Sequence, residues 1–276
     1  SDSSELTLFV NGIPVKSTTK ALQLEHTYTF TATGDYLLSY HAQHSGSDYR
    51  DSILVYVQDE PMIAEPPAGM KLGLNRTGDS SALFRFIAPY KSNAYLIGDF
   101  NAWQIGAASA MKKSSNDSVF WITLDGLDPN IFYRYQVIFD DPNNPYADPF
   151  AQLVLDPWND PYIDSKTYPN MPSYPTGKAQ GMASAFRLNY APFNWQHDGY
   201  ARPDKEKLNV YELLIRDFHA DHSFQSVIDS LDYLSQLGIN AIELMPVMEF
   251  EGNISWGYNV SFFQALYKYY GSATSF

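Results

Sequence analysis

The hydrophobic period changes once along this chain, and that change limits the folds open to it. Up to about Pro161 the apolar residues fall in short β-rich stretches: Leu6–Val10, Ala21–Thr31, Asp35–Ala42 and Ile53–Gln58, then Ala82–Ala88, Ala94–Gly98, Val119–Leu124 and Phe132–Phe139. Turn residues such as Asn11-Gly12 and Thr33-Gly34 separate them, and alternation such as Leu22 and Leu24 against Gln23 and Glu25 predicts half-buried strands. From Leu208 the pattern differs. Leu208–Phe218 reads as a strand, and Ser223 then caps a helix with apolar residues at Phe224, Val227, Ile228, Leu231, Leu234 and Leu237. These follow the 3.6-residue period, and Gly238 sits where a left-handed C-terminal cap is wanted. The near-continuous apolar run Asn240–Val247 predicts a strand buried on both faces. Strand, helix and strand in that order form a right-handed parallel unit. A second helix is expected over Ser261–Tyr270.

The predicted organisation is therefore multidomain. Residues 1–60 form a small β-sandwich. Residues 61–69, with Pro61, Pro66, Pro67 and Gly69, form a linker. Residues 70–161 form a second all-β unit, 162–207 a Pro- and Tyr-rich connector, and 208–276 the parallel unit.

Composition removes several function classes. Hydrophobic residues make up 45% and charged residues 18% of the 276 residues, which suits packed cores rather than disorder. A net charge of −13 argues against a nucleic-acid partner, since binding a polyanion needs a basic face. The chain has no Cys, hence no disulfide framework, thiol nucleophile or zinc knuckle. No run of about 18 apolar residues predicts a transmembrane helix. The start at a polar Ser-Asp-Ser-Ser without Met reads as a processed N-terminus, an expectation that leans towards a periplasmic or extracellular location. The chain is rich in rings, with 21 Tyr, 17 Phe and 5 Trp, and flat apolar rings suit pyranose faces as well as β cores.

Two sets of motifs resemble known families. Gly98-Asp99-Phe100-Asn101-Ala102-Trp103 is similar to the signature of the family 48 carbohydrate-binding module. Tyr133-Arg134-Tyr135 followed by Ala147-Asp148-Pro149-Phe150 resembles that module's later strands and exit. Gly238-Ile239-Asn240-Ala241-Ile242-Glu243-Leu244-Met245-Pro246 resembles the second barrel strand of glycoside hydrolase family 13, the alpha-amylase superfamily. Ser255-Trp256-Gly257-Tyr258-Asn259 resembles the loop after it, and Tyr270-Gly271 the next landmark. The resemblance covers about residues 70–276. Together with the β pattern of the first segment, it leads to an expected fold of two all-β immunoglobulin-like sandwiches followed by the first part of a (β/α)8 TIM barrel. The implied parent enzyme hydrolyses α-1,4-glucan, starch or glycogen, by a retaining mechanism with two carboxylates about 5 Å apart at the C-terminal ends of barrel strands.

The chain departs from the family pattern in one respect. Only two barrel strands are recognisable, and the third-strand motif Asp-x-x-x-Asn-His and the three catalytic carboxylates are absent. By itself the chain is expected to be inactive, with no catalytic residue to assign. A glycogen-branching transferase and a non-catalytic glycan-binding scaffold are the alternatives. No cofactor is implied; calcium is common in the family, but its ligand-bearing loops fall mostly beyond Phe276. Two strands cannot cover both faces of their own sheet. Residues such as Ile242 and Leu244 are therefore expected to be left bare, or packed on another chain.

The candidate sugar contacts follow from the resemblance. Tyr258 corresponds to a tyrosine that stacks on the sugar being cleaved, and Trp256 and Asn259 flank it. Trp103 corresponds to a stacking tryptophan in glycan-binding versions of the module, and to a packing residue in others. Trp121 reads as core, and Asp99 and Asn101 as turn-shaping residues. Glu243 inside its apolar strand is expected to face a barrel lumen, and neither it nor Glu249 nor Glu251 is assigned as acid or nucleophile. Arg216 and Asp217 are expected to pair structurally. The six His residues show no metal-ligand spacing; His41 and His44 come nearest.

Overall fold

A computed structural model describes residues 4–57, 60–189, 193–195 and 199–276. Gln58, the last residue of the fourth expected strand, lies outside them.

The N-terminal segment is one antiparallel sheet rather than the expected sandwich. Its strands β1 (Ser4–Val10), β2 (Ile13–Thr19), β3 (Gly34–His44) and β4 (Ser47–Val57) lie in the order β2-β1-β3-β4. Residues 21–31, read from alternation as a strand, are irregular. The Asn11-Gly12 turn returns the chain at once to form β2, so β1 already has a neighbour on each side and the alternating segment finds no ladder. It instead crosses near the sheet with Phe30 against Tyr36, ring centroids 4.7 Å apart.

The second segment is a sandwich of two sheets. One contains β5 (Gly73–Gly78), β6 (Ser81–Ile87), β8 (Lys112–Lys113) and β9 (Val119–Leu124), in the order β5-β6-β9-β8. The other contains β7 (Ala94–Gly98), β10 (Tyr133–Phe139), β11 (Pro145–Tyr146), β12 (Val154–Leu155) and β13 (Ala183–Phe186). β10 is its hub and pairs with β7, β11 and β13. Alternate residues of both sheets meet in the core: Phe84, Phe86, Leu96, Phe120, Tyr135 and Phe186 among them. Phe84 packs edge-on against both Tyr135, at 5.0 Å, and Phe186, at 5.3 Å. Each such ring taken out of water contributes about 1.5–3 kcal/mol. β13 lies inside the stretch read as connector; four residues between Pro- and Gly-rich runs carry too little period to be recognised.

The third segment departs from expectation in two places. β14 (Val210–Leu213) and β15 (Ala241–Leu244) pair in parallel, joined through α1 (Ile215–Phe218), α2 (Phe224–Asp229) and α3 (Leu231–Gln236). The Ser223 hydroxyl accepts the Ser226 N–H as the expected N-cap, and Gly238 has φ +84°. The predicted first strand stops at Leu213 and gives way to α1, and the predicted single helix is two short ones meeting at Ser230. The second difference is larger. The helix expected over Ser261–Tyr270 is a strand, β17 (Val260–Leu266), antiparallel to β16 (Met248–Phe250). Phe- and Tyr-rich sequence favours a pleated, half-buried surface, and β16 supplies the ladder. Ala265 of β17 is buried against Ala151 and Val154 of the sandwich, so the hairpin is docked on the second segment. On the β14–β15 pair Val210, Tyr211 and Leu244 are partly exposed, whereas Ile242, expected to be bare, packs against the cluster that contains Leu213, Phe224 and Leu234.

Candidate functional site

The loop between β16 and β17 carries three of the four predicted sugar contacts. Trp256 and Tyr258 project outward, 62% and 66% exposed, with Asn259 exposed beside them. The backbone beneath them is fixed. Gly257 has φ +88° and lies so close to the end of β15 that a Cβ there would stand 2.4 Å from the Pro246 carbonyl oxygen; only glycine fits. Its N–H donates to Ser255 Oγ at 3.0 Å, and Ser255 Oγ also bonds Asn259 Oδ1. From below, Arg216 donates Nη1 to the Ser255 carbonyl at 3.0 Å. The same guanidinium grips Asp217 through Nε–Oδ1 at 2.7 Å and Nη2–Oδ2 at 3.1 Å, the pairing expected of these two residues. That hydrogen bonding holds the Asp217 carboxyl below its ordinary pKa.

Trp103 is placed elsewhere, in a buried position that matches the second of the two roles the resemblance offered, packing. Trp103 is 8% exposed, packed with Ile97, Ile138 and Ala183 on the outer face of the β7–β10 sheet, with Tyr174 and Ala179 against the same cluster. The motif around it closes the fold. Gly98 approaches β10 so closely that a Cβ would meet the Arg134 carbonyl oxygen at 2.5 Å. Asp99 accepts from Trp103 Nε1 at 3.0 Å, and from the Arg134 backbone N–H at 2.9 Å and Nε at 2.7 Å. Asn101 accepts the Gly98 N–H at 2.9 Å and donates to the Leu96 carbonyl at 2.8 Å. Burial opposes ionisation of Asp99, but these donors outweigh it and keep the pKa low. Trp121 is core as expected, its Nε1 donating to the Ala64 carbonyl at 2.8 Å.

The carboxylates flagged in the sequence fare differently. Glu243 is exposed on β15, opposite Glu212 of β14 in the parallel register, and Glu251 is exposed in the loop. Glu249 is buried and bound to Lys268: Nζ lies 2.6 Å from Glu249 Oε1 and 3.2 Å from Asp160 Oδ1. Asp160 and Lys268 were not singled out by sequence reasoning; a lone lysine in the aromatic run Tyr267-Lys268-Tyr269-Tyr270 was the available signal. His41 pairs with Asp48, and His44 Nδ1 lies 3.1 Å from Ser4 Oγ. Among the described residues no cluster of three or more His, Asp or Glu is arranged to hold a metal, and no helix is long and apolar enough to cross a membrane. A cleft of about 1740 Å³ lies between the sandwich and the last segment and is lined by residues such as Arg76, Tyr162, Lys166, His222 and Tyr269. None of the four predicted contact residues lines it.

Residues 71–158 match the family described as carbohydrate-binding module 48 (isoamylase N-terminal domain). The sequence relatives are glycoside hydrolase family 13 enzymes, as the motifs implied. Among curated proteins it is 29% identical over 157 residues to the malto-oligosyltrehalose trehalohydrolase of Saccharolobus solfataricus, covering 57% of this chain and 23% of that protein. It is 30% identical over 203 residues to a 1,4-alpha-glucan branching enzyme of Thiobacillus denitrificans, covering 71% and 25%. The chain thus spans about a quarter of the length of such relatives. Among solved structures, the GBS pullulanase SAP in complex with maltotetraose aligns over 98% of this chain and 38% of its own, with 17% identity and a TM-score of 0.54. At that identity the likeness speaks for the fold.

Proposed function

We propose that this chain is the front portion of an enzyme that hydrolyses α-1,4-glucan by a retaining mechanism, with Tyr258 and Trp256 as the rings that meet the sugar. The observation that carries the reading is the outward presentation of these two rings on a backbone held from beneath. Gly257 is wedged on Pro246, and Ser255 is held by Arg216. A backbone held in this way lowers the ordering cost when a ring covers the apolar C–H face of a glucose unit. The names of the relatives, all enzymes of α-glucan or malto-oligosaccharide chemistry, support the substrate class. In this reading β14, β15 and the intervening helices begin a (β/α)8 barrel, and the second segment is an immunoglobulin-like sandwich. The buried carboxylates Glu249 and Asp160 are committed to Lys268, and the sequence shows none of the three catalytic carboxylates that the family resemblance implies. Glycosidic cleavage by these 276 residues alone is therefore not expected.

Maltotetraose titration by calorimetry tests the proposal. Tyr258→Ala is expected to weaken binding about tenfold, or about 1.4 kcal/mol, whereas Tyr162→Ala in the large cleft leaves it unchanged. The reverse pattern would move the site to the cleft. A transferase reading is favoured by the branching-enzyme relatives. New α-1,6 links among the products of the full-length protein would establish it.

A further inference from the structure

A buried charge cluster lies directly behind the aromatic loop, contributed by both the sandwich and the hairpin. Lys268 is 1% exposed, yet its ammonium has two carboxylate partners. Glu249, from β16, lies at 2.6 Å and Asp160, from the turn that leaves the sandwich, at 3.2 Å. Glu249 Oε2 also accepts the Lys268 N–H at 3.4 Å, and Asp160 Oδ2 accepts the Asp156 N–H at 2.9 Å. Further contacts run from this cluster into the loop. Asn253 Nδ2 donates to the Asn159 carbonyl at 3.1 Å, and the Tyr267 hydroxyl bonds the Gly252 carbonyl and Asn253 Oδ1, both at 3.1 Å. Tyr267 itself stacks on Phe250 with centroids 3.9 Å apart.

Three charges inside a protein are costly unless geometry compensates them, and an apolar cluster of the same volume is often at least as stable. What the ionic arrangement supplies is a fixed relative position: each carboxylate belongs to a different segment, and one ammonium must reach both. We propose that Lys268 is a positioning residue that locks the aromatic loop to the carbohydrate-binding module through Asp160, so that stacking at Tyr258 depends on a contact made by the module. The inference rests on the glucan-stacking reading given above. It gives the module a role in the site even though its own signature tryptophan is buried.

Two variants and two readouts test it. Asp160→Asn removes only the module-side carboxylate; its Oδ1 keeps the Asp156 N–H and its amide nitrogen then faces Lys268 as a second donor. Lys268→Met removes the hub. Amide hydrogen exchange at Gly257 is expected to speed up about tenfold or more in both variants, while exchange at Trp121 in β9 of the sandwich stays unchanged. Maltotetraose affinity is expected to fall in parallel, towards that of Tyr258→Ala. Unchanged exchange at Gly257 in Asp160→Asn would overturn the lock even if Lys268→Met fails to fold. A loosened loop with undiminished affinity, where Tyr258→Ala does lose affinity, would overturn the coupling. If Tyr258→Ala binds like the parent, the stacking reading fails, and the exchange data alone decide whether the lock exists.

Discussion

Trp103 donates its indole N–H to Asp99 at 3.0 Å, and Asp99 in turn holds the side chain and backbone of Arg134 on the neighbouring strand. The motif that marks the module is thus a clasp between β7 and β10. Trp103→Ala is expected to cost about 3–5 kcal/mol of stability, the range for emptying a large core ring. The folded fraction is expected to bind maltotetraose with unaltered affinity. Urea denaturation combined with calorimetry on the folded protein separates the two effects; an affinity loss without a stability loss would return Trp103 to the binding surface.

Gly257→Ala should do the opposite. Its Cβ would stand 2.4 Å from the Pro246 carbonyl oxygen, at a φ of +88° that L side chains rarely adopt. The loop must lift off β15 and take both rings with it. Maltotetraose affinity is expected to fall at least as far as in Tyr258→Ala, while the sandwich melts within a few degrees of the parent. Tryptophan fluorescence should show Trp256 in a changed environment.

Asp148 gives a pH signature. Its carboxyl is buried beneath the sandwich, and desolvation raises its pKa to about 6, although the Tyr135 hydroxyl, at 2.7 Å, and the Phe150 N–H stabilise the ionised form. The unfolded value is about 3.9. The folded state therefore binds the proton more tightly than the unfolded chain, and this group's contribution to stability falls as pH rises from about 4 to 6 and is flat beyond. Asp148→Asn resembles the protonated form. Its stability relative to the parent is expected to improve by up to about 3 kcal/mol between pH 4 and pH 7.5. A gap constant across that range would show that Asp148 is not perturbed.

Much of the sandwich was legible because its strands alternate cleanly. Ala94–Gly98 and Val119–Leu124 appear at the predicted bounds. Legibility failed where a local pattern had two solutions. The run Ser261–Tyr270 satisfies a helical period, yet it pairs with β16, which lies a dozen residues back and is too short to announce itself. Leu22 and Leu24 alternate like a strand, but the neighbouring edges of β1 were already filled by β2 and β3. At the site, Trp256, Tyr258 and Asn259 were readable from one contiguous motif. The Asp160–Lys268–Glu249 cluster was not, because its members are far apart in sequence and only the docking of the hairpin on the sandwich brings them together.

The position of β13 has a practical consequence for anyone wishing to transplant the module. The family match ends at residue 158, but Ala183–Phe186 pairs with Tyr133–Tyr135 on one side and with Val154–Leu155 on the other. A graft cut at the end of the match would bare unpaired backbone along the hub strand and expose the inner face around Phe84 and Tyr135, an open edge of the kind that recruits other chains. A soluble graft must extend at least to Asn189, whose N–H closes on the Pro129 carbonyl at 2.7 Å.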